Sequence, residues 1–489
     1  MSAGDWISRS VARFTTSEKA VDKGADKGGD KSASAKAALP KAPERSTHER
    51  LLATLTQKDE AMSPRVLRRT LEELQAIIDP RVSEVEGGRR ARAICDWYAG
   101  ATPERRRDLL LLMSEQFVAD AQKVKAAQAQ FAAAVGTPDE AAAEVRYRRA
   151  TVSPRRRLLQ RFSANEDGIE FLVSLRADMQ PFLKGDKRLL ALDVEMEYMF
   201  STWFDVGFLE LRVINWHSPA SLIEKLIQYE AVHDIKGWAD VKNRLDSDRR
   251  CYGFFHPRLP DVPLIFVEVA LMDDMTAAIT PLLDETAAAA DLNKATTAIF
   301  YSISNTQTGL RGVSFGDSLI KRVVETLKEE FPKLRTFATL SPIPGFRSWL
   351  GKNAAEMLEK LSEKERAALG RAVGFEPPTA GHFLSAAESP LALEERSPVR
   401  LLLMKCAAHY LGQALDKDKP ADAVARFHLG NGARVERLNW AGDPSPKGLK
   451  QSYGLMVNYL YDLRRLDRNR LQLSQGKIPV SGDVEDLYI

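Results

Sequence analysis

Near Asp193 this chain changes texture, and the change limits the folds open to it. From about Ser46 to Lys184 no segment is rich in β-branched and aromatic residues, while helix-start signals recur. Ser63-Pro64, Thr102-Pro103, Thr137-Pro138 and Ser153-Pro154 each set a capping side chain before a proline. Proline suits the first helical position because its missing N–H would have no partner there. Behind the first signal, Val66, Leu67, Leu71, Leu74 and Ile77 form one apolar stripe, mostly at three- and four-residue spacing. This predicts an all-helical bundle over residues 46–192. Beyond Asp193, runs of β-branched and aromatic residues alternate with helical patterns. Arg250–His256, Pro263–Met272, Thr296–Asn305, Arg335–Leu340 and Arg434–Trp440 predict strands. Ser318–Phe331, Asn353–Val373 and Ser397–Leu415 predict helices. Residues 193–489 should therefore form a mixed α/β domain, one sheet flanked by helices, and the whole chain an α+β multidomain protein.

Composition narrows the function classes. The 70 basic and 67 acidic residues leave a formal net charge of +3. A dedicated nucleic-acid binder carries a strong basic excess, so none is expected here. No run of about 18 uncharged apolar residues exists, which argues against a membrane span. The three cysteines, Cys95, Cys251 and Cys406, are too far apart in sequence for a metal knuckle or a redox pair, and fit a reducing compartment. Lys19 to Pro43 is mostly Lys, Asp, Gly, Ala and Ser, with little to bury, so residues 1–45 read as a disordered tail. Met1 to Phe14 is weakly amphipathic, but Asp5 and Glu18 argue against an organelle-targeting helix.

Three stretches have the residue types that chemistry needs. A strand through Ser302 leads into Arg311-Gly312-Val313-Ser314-Phe315-Gly316-Asp317, and a helix follows from Ser318. A glycine-containing loop between strand and helix N-terminus suits a pyrophosphate, since free amides and the helix dipole face the anion. An ordinary turn has the same outline. The loop lacks the Lys-Ser/Thr of a Walker motif and the spacing of a dinucleotide fingerprint. Its nearest likeness is the Arg-x-x-Gly-x-Gly/Ala loop of GNAT acyltransferases, with Ser314 in place of the middle glycine. Lys321 and Arg322, early on the helix, are candidate phosphate partners. Next, Ser341 ends a strand, because Pro342 and Pro344 cannot continue a central one. A serine there can face a cleft or bond its own turn. Third, His428 precedes Gly430-Asn431-Gly432 and a strand. Its rivals are His217 and His256, and no histidine pair has metal-ligand spacing.

Taken together, five blocks resemble the malonyl-CoA decarboxylase family. They are Ala298–Ser304, Leu319–Val324, Leu340–Phe346, Phe427–Ala433 and Gly454–Tyr459, within a similarity spanning roughly Ala61 to Arg470. The resemblance implies a helical domain that mediates homo-oligomerisation, as dimer or tetramer, and a C-terminal catalytic domain of the GNAT type. It implies conversion of malonyl-CoA to acetyl-CoA and carbon dioxide without metal or organic cofactor. Ser341 and His428 match the family's catalytic serine and histidine. Arg311 to Asp317 match its coenzyme A loop, and Ser302 and Tyr461 match two further residues lining its site. The animal enzymes have a glutamate where this chain has Ser314, so that residue's role does not carry over. The chain ends Asp486-Leu487-Tyr488-Ile489 rather than in a peroxisomal Ser-Lys-Leu, and a bacterial cytoplasmic location is expected in preference to a mitochondrial matrix.

Losing carbon dioxide leaves an enolate. The site must anchor the carrier, stabilise an oxyanion and deliver one proton to carbon. An imidazole of ordinary pKa, about 6.5, suits His428 to the last task. Ser341 then binds the leaving carboxylate or relays the proton. An acyl-CoA-dependent transferase on the same fold is the rival expectation.

Overall fold

The computed structural model describes residues 61–313, 315 and 319–488. The expected tail, and Ser314, Gly316 and Asp317 of the loop, lie outside the described residues. The first part consists of helices α1 (Pro64–Ile78), α2 (Glu84–Ala99), α3 (Pro103–Gln116), α4 (Ala121–Ala134), α5 (Glu140–Thr151), α6 (Pro154–Ser163), α7 (Gly168–Leu183) and α8 (Leu190–Trp203). Ser63 and Thr102 cap α1 and α3, accepting the amides of Val66 and Arg105. Helical structure continues past the expected change at Asp193. Leu192, Met196, Met199 and Phe200 form a buried stripe at helical spacing and carry α8 to Trp203.

The second part begins with β1 (Glu210–Ile214), α9 (Ala220–Tyr229), α10 (Trp238–Arg244), β2 (Arg249–His256), β3 (Leu259–Met272) and β4 (Thr297–Asn305). It continues with α11 (Leu319–Glu330), β5 (Thr336–Thr339), β6 (Ser341–Pro342), α12 (Phe346–Glu359), α13 (Glu363–Val373), α14 (Ala380–Ala386) and α15 (Pro398–Gly412). The chain closes with β7 (Leu415–Asp416), β8 (Lys419–Pro420), α16 (Ala423–Gly430), β9 (Arg434–Asn439), α17 (Pro446–Ser452), β10 (Met456–Leu460), α18 (Leu466–Ser474) and α19 (Gly482–Glu485). The helix expected over Asn353–Val373 is two helices, because Ser362 and Glu365 form a capping box that starts α13. β1 and β10 were not expected as strands.

The main sheet runs β1-β2-β3-β4-β5-β10-β6, with β9 on β10. Every pairing is antiparallel except β4 with β5. That parallel pair positions the site. It holds from Thr297↔Thr336 to Phe300↔Thr339 and then parts. Ser341 and Pro342 turn to Val457 and Met456 of β10, while β4 continues beside β3 alone to Asn305↔Ile265. The strand thus runs on through Pro342, which sits at an edge where its missing N–H costs no ladder bond. A notch opens between the separated strands.

Helical and sheet parts share one core. Leu172 and Phe200 belong to the same buried cluster as Val267, Phe300 and Leu403. The helical part is therefore continuous in packing with the sheet that carries the notch.

Candidate active site

Where β4 and β5 part, a cavity of about 620 Å³ opens. Tyr301 and Ser302 form one wall, Ser341 and Pro342 another, and α16 the third. The carboxylate of Asp422 draws the last two together. Its Oδ1 caps α16, accepting the amides of Val424 and Ala425 at 2.9 and 3.0 Å. Its Oδ2 accepts the Gly345 amide and the Tyr410 hydroxyl, both at 3.3 Å. One side chain thus ties the start of the His428 helix to the turn behind Ser341. Glycine is required at position 345, since a Cβ there would lie 2.2 Å from the Tyr410 hydroxyl oxygen.

Ser341 and His428, 87 residues apart in sequence, meet at 3.2 Å between Oγ and Nε2. Ser341 donates its proton to Thr339 Oγ1 at 2.8 Å. Thr339 is two positions earlier on the same face of the chain, and its oxygen also accepts the Tyr459 amide at 3.1 Å. The Ser341 oxygen is then free to accept from Nε2–H. On the far side of the ring, Nδ1 lies 2.7 Å from the Tyr461 hydroxyl, which must donate. A single neutral tautomer satisfies all of these bonds. The imidazole also stacks on Tyr459, ring centres 4.7 Å apart.

Ser341, His428 and Tyr461 are all buried. Burial alone pushes the His428 imidazole from the usual 6.5 down to about 3. Burial likewise pushes the Tyr461 phenol well above its ordinary value, against the charge of Arg470. At neutral pH this hydrogen-bond chain carries no charge. The expectation of an imidazole with ordinary pKa is therefore corrected: the ring is too well shielded from water to hold a second proton. Tyr461 stands behind His428 and is not part of the cavity lining.

Ser302 does line the cavity, but its hydroxyl is held by Glu230, 2.8 Å from each carboxylate oxygen. Glu230 also takes the Ser304 hydroxyl and the amides of Val232 and His233. Opposite Ser302 on β3 is Glu268, fully buried and 2.9 Å from Arg244. Burial raises its carboxyl from 4.5 to about 7; the charge of Glu230 adds to the rise and Arg244 opposes it.

The loop is built against the helical part. Arg176, buried on α7 and paired with Asp193 at 2.8 Å, donates from Nη1 to the carbonyls of Gly309 and Arg311, both at 2.8 Å. Gly309 presses so closely on α7 that a Cβ would sit 1.9 Å from the Val173 carbonyl oxygen. Val313 and Phe315 line the cavity; Arg311 and Gly312 do not. Arg322 is engaged by the carbonyls of Val206 and Leu209, and Lys321 by Glu325. Sequence reasoning missed Glu230, Thr339, Asp422 and Arg176. Thr339 had a signal, two residues before Ser341 on a strand. The others meet the site only through the fold. Of the rival histidines, His217 is exposed and His256 accepts the Arg258 amide; neither lines the cavity.

Among the described residues no three His, Cys, Asp or Glu side chains are grouped to hold a metal ion, and no helix is long and apolar enough to cross a membrane. Comparison with known proteins is consistent along the chain. Residues 117–204 match the malonyl-CoA decarboxylase N-terminal domain and residues 207–488 the malonyl-CoA decarboxylase C-terminal domain. The mitochondrial malonyl-CoA decarboxylase of Anser anser anser is 36% identical over 402 residues, covering 77% of this chain and 78% of that one. A solved malonyl-CoA decarboxylase from Cupriavidus metallidurans is 44% identical, with a TM-score of 0.70, covering 86% of this chain and all of that one (100%). Another, from Agrobacterium vitis, is 38% identical, with a TM-score of 0.75 and coverage of 86% and 99%. The fold class read from the sequence, a helical region followed by a mixed α/β domain, stands. Two family domains in order, with relatives matching most of the chain, make this a carboxy-lyase that belongs to the malonyl-CoA decarboxylase family.

Proposed function

We propose that this chain converts malonyl-CoA to acetyl-CoA and carbon dioxide, with His428 supplying the proton and Ser341 passing it to carbon. The observation that carries these roles is the uncharged chain Tyr461–His428–Ser341, ending at the cavity wall. Breaking the bond to the carboxylate leaves its electron pair on the α-carbon and thioester oxygen. Carbon dioxide departs, and the α-carbon takes one proton. A thioester enolate is basic enough to draw that proton from neutral groups. The Ser341 hydroxyl turns from Thr339 to the carbon and accepts Nε2–H in exchange, while Nδ1 takes the Tyr461 proton. When the product leaves, water in the cavity gives a proton to Ser341, which passes its own to Nε2, while Nδ1–H returns to the phenolate and restores the resting chain.

The lack of charge suits the first step as well. A salt bridge to the malonyl carboxylate would stabilise the ground state and raise the barrier. Of the described residues lining the cavity, Arg426 alone bears a formal charge, and it is exposed. The unpaired edge of β4 beyond Phe300 supplies backbone groups for the thioester and its carrier arm. The loop 311–317 takes the coenzyme A phosphates, with Arg176 fixing its first half. The helical part serves assembly of a homo-oligomer. α4 and α5 bury little but Ala127 and Ala143, and stack Phe131 on Tyr147.

The test is to incubate the purified protein with malonyl-CoA and no acceptor. Equal amounts of acetyl-CoA and carbon dioxide are expected. Acyl transfer that requires an added amine or thiol, with no carbon dioxide released, would overturn the reading in favour of a transferase.

A further inference from the structure

Asn431 ends α16, three residues beyond His428. Its side-chain nitrogen donates to the Phe427 carbonyl at 2.8 Å. That bond fixes the amide, since a flipped one would set two carbonyl oxygens against each other. Oδ1 is thereby left buried with no hydrogen-bond partner, on a residue 8% exposed. A buried acceptor without a donor is costly, and a ligand that donates to it gains accordingly. Asn431 lines the same cavity as Ser341 and His428.

Arg426 stands on the same helix and lines the same cavity. Among the described residues its guanidinium makes one hydrogen bond, a long one of 3.4 Å to the Ala421 carbonyl, and no ion pair. An exposed guanidinium at the cavity edge, with an uncharged wall inside, matches a ligand that is anionic at its outer end and polar but neutral further in.

We propose that α16 reads the carrier arm of the substrate at two points: Asn431 Oδ1 accepts an amide N–H of the pantetheine, and Arg426 adds an ion pair to one of the phosphates at its outer end. This rests on the malonyl-CoA reading above. The arm carries two secondary amides, the nearer separated from sulfur by two methylenes. Three residues advance a helix by about 4.5 Å, so an acceptor at Asn431 falls one short step beyond the proton donor at His428. Arg426 presents the planar fork that suits phosphate oxygens.

Three substrates test it on the whole chain: malonyl-CoA, malonyl-pantetheine without phosphates, and the malonyl thioester of butanethiol without amides. In Asn431→Ala, the preference in kcat/KM for malonyl-pantetheine over malonyl-butanethiol should fall about tenfold, the order expected for one hydrogen bond to a buried acceptor. In Arg426→Ala, the preference for malonyl-CoA over malonyl-pantetheine should fall about tenfold through KM, with Arg426→Lys recovering part of it. Each ratio is taken on one preparation, so the folded fraction cancels. Should Asn431→Ala fail to fold, methylating the pantetheine amides should reproduce its loss on the unaltered protein. Unchanged ratios, or no loss on methylation, would overturn the proposal while turnover of malonyl-CoA continues. Absence of any malonyl-CoA turnover would instead remove the functional reading and this proposal with it.

Discussion

Two buried polar clusters flank Ser302, and they are built in opposite ways. On one side, Thr339, Ser341, His428 and Tyr461 form a chain of neutral hydrogen bonds, with burial holding the imidazole uncharged. On the other, Arg244 sits between Asp240 and Glu268 at 2.7 and 2.9 Å, and donates to the His233 carbonyl at 2.9 Å. Glu230 borders that charged cluster and holds the Ser302 hydroxyl. Burial is nearly the same on both sides. The difference is what each cluster must do. The charged one joins α10 to β3, and its ions satisfy one another. In the proposed reaction the neutral one ends where a carboxylate passes its charge to the α-carbon as carbon dioxide leaves, so a cation there would favour the reactant.

The comparison breaks most visibly at its neutral end. His428→Asn and Ser341→Ala should each lower kcat by about 10²–10⁴, the usual share of a positioned proton donor, with little change in coenzyme A affinity. Steady-state rates and calorimetric titration with coenzyme A separate the two effects, and near-wild-type kcat in either variant would remove the relay. The charged end should respond in stability. Arg244→Met leaves two carboxylates buried without their partner, at a cost of about 3–5 kcal/mol. Urea unfolding at neutral pH measures it, and a loss under about 1 kcal/mol would mean that the cluster is not held by its ions.

Much of the neutral cluster was legible in the sequence. Ser341 and His428 lie in short blocks whose order is specific, and Thr339 shares the face of Ser341 by strand alternation. The charge state of His428 was not legible. Its pKa follows from burial, which depends on α16, β10 and the Asp422 cap meeting in space. The charged cluster gave no local signal, because Glu230 follows α9 and reaches Ser302 across 72 residues. The same holds for Arg176, whose bond to Gly309 spans 133 residues and makes a helix of the first part the support of a loop in the second. Strands β2 to β5 were readable from buried runs. Helix α8 runs on to Trp203, past the change of texture at Asp193, because its buried stripe is apolar enough to resemble the sheet region that follows.

The clusters should also differ in their dependence on pH. The unfolded chain takes up a proton on His428 near pH 6.5, and the folded ring refuses it until about pH 3. Stability should therefore fall as pH drops through that window, by about 2 kcal/mol between pH 6.5 and 5 for this residue alone. His233, which burial lowers to about 4, adds a similar slope. His428→Asn should remove its own share and leave that of His233. Urea titrations at the two pH values read the difference, and an unchanged slope would mean that His428 is protonated in the folded protein.

Glu268 works in the other direction. Its carboxyl is raised to about 7, first by burial and then by the charge of Glu230. Between pH 4.5 and 7 the unfolded chain releases a proton that the folded carboxyl keeps, so this group costs stability as pH rises through that window. Glu230→Gln removes the like charge but leaves the burial. The Glu268 titration should then move down toward 4.5 without reaching it, and the loss of stability on that limb should shrink by less than about 1 kcal/mol. Carboxyl-carbon NMR follows the titration directly. A Glu268 titration that stays put would mean that Glu230 acts only on Ser302, and that the two clusters meet at that serine without sharing charge.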